Sequence, residues 1–320
     1  MIRTAGGPEA LQLDRVPIPI VTAGMVLIRV TAAGVNRHDV NQRIAGKHTD
    51  GTPIPGLEVC GEVVSLGEGV TEPRLGDRVM ALVQGGGYGQ YVAASAALAL
   101  PAPTSLTDTE AASLPEALFT TWWNYFGLMA LEKDQYALIH GGTSGVGHLA
   151  LQALSSLGYK PIATAGSLVK VAAALEFGAL AAFSYSDPDL ANKVMTATAG
   201  QGISALLDMS GGAHIEQDVA MMAEDGWIAH LSGGTGEFKL PLRTVMARRI
   251  RLTGSLLRPL PLDRKRRIAE KLRHEVLPLV GTKIRPRIAA EFNLARAAEA
   301  HRLLEEGQQI GKIVLRVADQ

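Results

Sequence analysis

Ile139-His140-Gly141-Gly142-Thr143-Ser144-Gly145-Val146-Gly147 is the stretch that decides the fold class of this chain. The apolar run Tyr136-Ala137-Leu138-Ile139-His140 leads into it and reads as a buried strand. From Gly145 to Leu157 a helix follows, with Val146, Leu149, Ala150, Ala153 and Leu157 at helical spacing. A strand, a glycine turn and a helix in that order distinguish a dinucleotide-binding turn from a chance cluster of glycines. Glycine lets the backbone turn tightly and approach a pyrophosphate. The helix N-terminus adds free N–H groups and a partial positive charge, an anion stabilisation of roughly 0.3–2 kcal/mol. The spacing Gly142-x-x-Gly145-x-Gly147 departs from the standard G-x-G-x-x-G, so on its own the loop also reads as a tight turn with close helix packing.

Downstream the same rhythm repeats. Pro161 to Ala165 is a strand, Leu168 to Phe177 a helix stopped by Gly178, and Ala181-Ala182-Phe183 a third strand; Ala205 to Asp208 and Trp227 to Leu231 follow. Strands alternating with helices predict a doubly wound parallel sheet over 116–250. Upstream, 1–115 reads as β-rich, with strand patterns at Val26–Val30, Gly61–Gly67, Arg78–Val83 and Gly89–Val92 punctuated by Gly and Pro, as in a compact antiparallel or barrel-like domain. Over 251–320 come two amphipathic helices, Arg264–Val276 and Leu294–Glu306, and a strand, Gly311–Val317. This tail is expected to return and complete the first domain. The class is α/β, with a nucleotide-binding sheet inserted into a β-rich domain.

Composition narrows the function. A chain of 320 residues usually splits into two domains. With 47% hydrophobic and 19% charged residues it belongs among globular proteins. Lys plus Arg balances Asp plus Glu at 31 each, so the basic excess of a dedicated nucleic-acid binder is missing. The one cysteine, Cys60, makes neither an internal disulfide nor a four-cysteine zinc site. The start, Met1-Ile2-Arg3-Thr4, lacks the apolar core of a signal peptide, and no apolar run has the roughly 18 residues of a spanning helix. The expectation is a cytoplasmic protein with no membrane partner.

Cofactor choice is read at the end of the second strand of the sheet. An NAD site places Asp or Glu about 20 residues past the glycine loop to hold the ribose hydroxyls. Here the strand ends Thr164-Ala165-Gly166-Ser167 with no acid, and Lys170 follows one helical turn later. A hydroxyl and an ammonium hold a 2′-phosphate that a carboxylate would repel, so NADPH is the expected cofactor; a solvated surface lysine is the competing reading of Lys170. A catalytic zinc needs about three Cys, His or acidic ligands. The candidate stretch offers Asn36, Arg37, His38, Asp39, Leu57, Glu58 and Cys60. His38 and Glu58 could be drafted, but no thiolate stands at Asn36, and Cys60 reads as a small buried hydrophobe. No metal is expected. Without a Lewis acid, an acceptor that takes hydride readily is favoured: a quinone first, an enone or enal next.

These residues resemble the zinc-independent quinone oxidoreductases of the medium-chain dehydrogenase/reductase (MDR) superfamily, most closely the tumour-suppressor-inducible group, with zeta-crystallin a more distant relative. The resemblance runs almost end to end. Its markers are Gly6-Gly7-Pro8-Glu9, Val35-Asn36-Arg37, Gly56-Leu57-Glu58, Gly85-Gly86-Gly87, Leu114-Pro115-Glu116-Ala117, the loop from His140 to Gly147, Thr164-Ala165-Gly166-Ser167, Ser255-Leu256-Leu257-Arg258 and Ile310-Gly311-Lys312-Ile313-Val314. Zinc-dependent relatives carry Cys and His-Glu where this chain has Asn36 and Leu57-Glu58. The resemblance implies a GroES-like catalytic domain and a Rossmann NADP-binding domain. It places Asn36 and Thr120 beside the nicotinamide, and Gly142, Ser144, Gly145 and Val146 at the pyrophosphate. Gly166, Ser167, Lys170 and Tyr185 would surround the adenosine 2′-phosphate. Ser232, Gly233 and Gly234, and Leu256, Leu257 and Arg258, would border the nicotinamide end. It also implies a homodimer, formed through the edge strand near Arg251 to Leu257.

Two departures from that pattern stand out. Where the family has Gly-x-Tyr near the substrate mouth this chain reads Gly46-Lys47-His48, so His48 is a candidate wall residue or proton donor, or an exposed loop histidine. The strand before Gly6-Gly7-Pro8 is also reduced to little more than Ile2-Arg3. Other features read blandly. Gly85-Gly86-Gly87 is a flexible turn, Asp263-Arg264-Lys265-Arg266-Arg267 a solvated helix face, Trp122-Trp123 the core-filling start of a helix, and His140 structural. The leading function is NADPH-dependent reduction of a quinone by hydride transfer in the cleft between the domains. The alternatives are an NADPH-dependent enone, enal or enoyl-thioester reductase, with Arg37, Arg43 and Lys47 as a basic track, and an NADPH-binding sensor or RNA-binding protein with little catalysis.

Overall fold

The computed structural model describes residues 1–46, 52–232 and 236–317. The chain divides into two compact units: Met1–Ala117 with Pro261–Gln320, and Leu118–Leu260.

The first unit is built on β1 (Met25–Val35), β2 (Glu58–Leu66), β3 (Arg78–Leu82), β4 (Tyr91–Ser95) and β5 (Ala99–Pro101). From the returning segment come β12 (Ile288–Asn293) and β13 (Lys312–Arg316). They form one seven-stranded sheet in the order β12-β13-β1-β2-β3-β5, with β4 also on β1. All pairings are antiparallel except β12 with β13. Val26, Ile28 and Val30 alternate inward on β1 and meet Val59, Val63, Val79, Val92, Ile313 and Leu315, while Arg29 points out to Glu62 at 2.6 Å. The period of two is what a half-buried strand requires. β1 bends at two register shifts, Leu27/Ile28 and Val30/Ala32, so its first half serves β4 and its last half β13.

The second unit holds β6 (Tyr136–His140), β7 (Lys160–Ala165), β8 (Ala181–Ser184), β9 (Ile203–Asp208), β10 (Met222–His230) and β11 (Arg251–Gly254). They make an all-parallel sheet in the order β11-β10-β9-β6-β7-β8. Both faces are covered. Ala137, Ile139, Ala163 and Leu207 pack on one side, and Leu138, Ile162, Leu206 and Ile228 on the other, which is why these strands are continuous apolar runs rather than alternating ones. The chain winds outward from β6 to β8, then returns to β9 beside β6. That reversal is the topological switch point, the place where open α/β sheets bind ligands.

Three details differ from the sequence reading. Arg251–Gly254 pairs with β10 and belongs to the parallel sheet, so the second unit runs to Leu260 rather than ending at 250. Trp122 and Trp123 do not start a helix: Pro115–Trp122 is helical and continues as a wider turn over Trp123–Leu128, where Asn124 Nδ2 donates to the Thr120 carbonyl at 2.8 Å. Lys265 is buried while its neighbours Asp263, Arg264, Arg266 and Arg267 are exposed, so the charge run is not wholly a solvated face.

Candidate active site

In the second unit the glycine loop stands at the switch point. Gly142 N–H donates to the Thr164 carbonyl at 2.9 Å and Ser144 N–H to the Gly141 carbonyl at 2.9 Å, and Ser144 Oγ accepts from Gly147 N–H at 3.0 Å. The helix Gly147–Ser156 starts directly behind. Among the described residues no hydrogen bond engages the N–H groups of Gly145 and Val146, which sit partly exposed at the head of that helix. Unpaired amides at a helix N-terminus are what a diphosphate needs. The closeness of the loop explains its glycines. A methyl at Gly142 would stand 2.6 Å from Ala163 Cβ, and one at Gly147 would land on the Gly141 carbonyl oxygen.

One strand over, Ser167 caps the helix Leu168–Glu176, its Oγ accepting from Lys170 N–H at 3.3 Å. The Tyr185 hydroxyl lies where a side chain on residue 166 would have to go. Gly166, Ser167, Lys170 and Tyr185 are thus brought together at the ends of β7 and β8. Burial draws the Lys170 ammonium below its usual pKa, as happens to a cation partly withdrawn from water. The Tyr185 ring lies 5.1 Å from that of His214, and His214 in turn 5.6 Å from His140. His140 is held by Thr164 Oγ1 at 2.6 Å and Asp218 Oδ1 at 2.8 Å.

At the end of β9, Asp208 accepts from Ser210 N–H at 2.6 Å, Gly212 N–H at 2.7 Å and His230 Nδ1 at 2.7 Å. Burial opposes its ionisation, yet the hydrogen bonds led by His230 win and hold the carboxyl well below the usual range. Met209 then lies against Gly141 and Ser144. Thr120 is buried, Leu257 and Ser255 are buried, and Leu256 is 66% exposed.

The first unit carries a second cluster, centred on Glu58. Asn36 ends β1's run into the helix Arg37–Ala45 and caps it, its N–H donating to Asp39 Oδ2 at 2.8 Å. The Asn36 amide donates to Glu58 Oε1 at 2.9 Å and accepts from Lys312 Nζ at 2.8 Å, and Lys312 also pairs with Glu58 Oε1. Glu116 N–H donates to Glu58 Oε2 at 2.9 Å. Glu58 and Lys312 are buried; a paired charge survives there because its partner and several hydrogen bonds replace water. Asp39, also buried, takes further hydrogen bonds from Gly56 N–H at 2.9 Å and Tyr88 OH at 3.3 Å. Burial raises it to about 6 against the main-chain hydrogen bonds from Asn36 and Gly56. Tyr88 OH reaches His301 Nε2 at 3.1 Å, and burial, aided by Arg43, lowers His301 to about 4. The Gly85-Gly86-Gly87 turn is pinned rather than flexible: Gly86 N–H donates to the Ile54 carbonyl at 2.7 Å and Gly87 N–H to the Gly56 carbonyl at 3.1 Å.

The expected site residues divide between the units, with Asn36 in the first and Thr120, the glycine loop, the Gly166–Lys170 group, Tyr185, Ser232 and Leu256–Arg258 in the second. His48, Gly233 and Gly234 lie outside the described residues. Cys60 is fully buried, and burial pushes its thiol up to about 12, as a small hydrophobe would be. Lys312 and Glu116 were visible in the sequence only as family markers. What gives them a role is that they meet Glu58 in space.

A nucleotide-binding parallel sheet with a β-rich companion defines a dinucleotide-dependent oxidoreductase class, and the matches to known proteins agree. Residues 22–104 match the alcohol dehydrogenase GroES-like domain and residues 145–272 the zinc-binding dehydrogenase family. The quinone oxidoreductase of Rattus norvegicus is 27% identical over 316 residues, 97% of this chain and 94% of its own. A crystal structure of a NAD-dependent alcohol dehydrogenase, 27% identical, superposes with a TM-score of 0.84 over 99% of this chain and 98% of its own. The quinone oxidoreductase from Thermus thermophilus, solved also with NADPH, is 28% identical with a TM-score of 0.81 at the same coverage. The chain belongs to the medium-chain dehydrogenase/reductase superfamily. It is an oxidoreductase of that superfamily, with a nicotinamide dinucleotide as cofactor and a small molecule as substrate. Among the described residues no helix is long and apolar enough to cross a membrane.

Proposed function

We propose that this chain is a zinc-independent, NADPH-dependent quinone reductase. The observation that carries the reading is the Asn36–Glu58–Lys312 cluster. A zinc ion at Glu58 would have to displace a buried ammonium, and position 36 offers a neutral amide already committed to Glu58 and Lys312. That donor set does not fit zinc. An acceptor here is activated by hydrogen bonding alone, which favours a quinone, the substrate class in the names of the rat and Thermus relatives. NADPH is supported by the hydroxyls of Ser167 and Tyr185 and the ammonium of Lys170 around Gly166, with no acid at the end of β7. A bound nicotinamide supplies the hydride. The chain's own part is to hold the diphosphate on the amides of Gly145 and Val146 and to keep the Asn36 side chain in one rotamer.

The enoyl-thioester alternative wants a basic track, and the structure removes one member of it. Arg43 is buried and bonds Glu305 through two nitrogens at 2.7 and 3.1 Å, while Arg37 reaches the Leu304 carbonyl at 2.9 Å. Lys47 lies outside the described residues. The test is oxidation of NADPH and of NADH with quinones, enals and an enoyl thioester in parallel, alongside metal analysis of the purified protein. Quinone turnover that prefers NADPH, without bound zinc, is the expected result. Turnover confined to the enal or thioester, or one zinc per chain, overturns the reading.

A further inference from the structure

The Glu58 carboxylate holds two things at once. One oxygen takes the Asn36 amide and the other takes the main-chain N–H of Glu116, each at 2.9 Å. Glu116 is therefore a close neighbour of Asn36 within the first unit, and its own carboxyl is not part of either bond. Among the acids here, Glu58 and Asp39 are fully buried and hydrogen-bonded, whereas Glu116 is partly exposed and its carboxyl makes no hydrogen bond among the described residues. The groups facing it come from four elements: Glu58 on β2, Asp39 on the helix Arg37–Ala45, Lys312 on β13, and Lys265 on the helix Leu262–Lys271. Withdrawal from water and then the charge of Glu58 outweigh the two lysines and push Glu116 up to about 8. An acid at the first turn of a helix would ordinarily be driven the other way by the helix dipole, so burial, with the charge of Glu58 second, decides its state. At neutral pH it carries a proton, and among the described residues no hydrogen-bond acceptor holds it.

We infer that Glu116 is the general acid of this enzyme, donating its proton to the reduced substrate bound beside Asn36. The inference rests on the reductase reading above and adds to it the residue that finishes the reaction. Hydride brings two electrons to the quinone and leaves one oxygen as an anion. The Glu116 O–H bond breaks, its proton joins that oxygen to give the hydroquinone, and the electron pair stays on the carboxylate, which water then reprotonates. The nicotinamide is oxidised and the quinone reduced by two electrons. Glu58 acts through Glu116 and Asn36. It is a positioning residue, since it is buried and already saturated by Lys312, Asn36 and the Glu116 N–H.

The test compares the full-length protein with its Glu116→Gln variant, which keeps the main-chain bond to Glu58. First, without cofactor, infrared difference titration should show a carboxylic acid band disappearing near pH 8 in the wild type and missing from E116Q. If no band titrates above pH 7, the inference fails. Second, kcat of the wild type should fall above pH 8, and E116Q should lose roughly 10²-fold in kcat, the lower range for general acid catalysis, together with that pH limb. Its NADPH dissociation constant should change less than about threefold. A kcat for E116Q within threefold of wild type overturns the assignment. If the wild type reduces enals and no quinone, the quinone reading has failed separately. The kcat comparison is then made with the enal: hydride adds to its β-carbon, the resulting enolate takes the Glu116 proton at its α-carbon, and Glu116 is decided by the same criteria.

Discussion

Lys312 and Glu58 are an ammonium and a carboxylate placed side by side away from water, and their value is asymmetric. As a pair they contribute little beyond an apolar pair of the same shape; removing one partner strands the other. Lys312→Met should therefore cost about 3–5 kcal/mol of unfolding free energy, and adding Glu58→Gln should return a large part of it. Urea denaturation of the three variants measures this, and no recovery in the double variant would mean that the loss comes from packing rather than charge. Lys170 presents the opposite case, a group whose contribution should appear only with ligand. Lys170→Ala should weaken NADPH binding roughly ten- to hundredfold, the worth of a hydrogen bond to a charged group of about 1.5–3 kcal/mol, and leave NADH nearly unchanged. Titration calorimetry with both nucleotides decides it; equal losses would remove the 2′-phosphate role. The contrast shows what a sequence discloses about a site. Lys170 and Ser167 could be singled out as candidates because their signal is local, a hydroxyl and an ammonium within one helical turn of a strand end. Glu58 and Lys312 are 254 positions apart, and no local pattern marks either as buried and paired.

At the scale of elements, the glycine loop and the cap behind it carry most of the binding argument. A methyl at Gly147 meets main-chain atoms, the Gly141 carbonyl oxygen first, and these cannot swing aside as a side chain can. Gly147→Ala should therefore shift the loop and raise the NADPH dissociation constant at least tenfold, while far-ultraviolet circular dichroism stays that of the wild type. Undiminished binding would show that the loop does not shape the diphosphate site. Ser167→Ala removes the cap of the helix Leu168–Glu176, a loss of about 1 kcal/mol in stability that thermal unfolding would register. The β-α-β elements were legible because parallel strands buried on both faces are apolar throughout and their helices are periodic. The wider turn at Trp123–Leu128 was not, since its cause is the Asn124 side chain bonding back to Thr120, a choice that apolar periodicity does not record. Arg251–Gly254 was assigned to the tail for a similar reason: a four-residue strand with exposed ends has no pattern of its own until it is paired with β10.

For the whole molecule, pH is the variable that tests several of these groups together. Asp39 and Glu116 are acids raised in the folded state to about 6 and about 8, from ordinary values of 3.8 and 4.5. Between its unfolded and folded values each binds more proton folded than unfolded, so its contribution to stability is full at low pH and is lost as pH rises through that window. His301, lowered from 6.5 to about 4, runs the other way: the folded state binds less proton, and stability is gained as pH rises to 6.5. His301 thus opposes Asp39 below pH 6.5, and the two effects largely overlap. The hydrogen-bonded carboxylates held low, such as Asp208 and Glu305, complete their contribution near pH 5. Above 6.5 the Glu116 window remains open until about 8. The difference in melting temperature between wild type and Glu116→Gln isolates it, because groups common to both cancel. Wild type should lose ground to the variant steadily from pH 5 to 8 and hold a constant difference from 8 to 9. A difference that is flat from pH 5 to 8 would mean that Glu116 ionises like an ordinary surface glutamate, and one that moves in favour of the wild type that folding lowers its pKa; either outcome would mean that burial and the charge of Glu58 do not raise it.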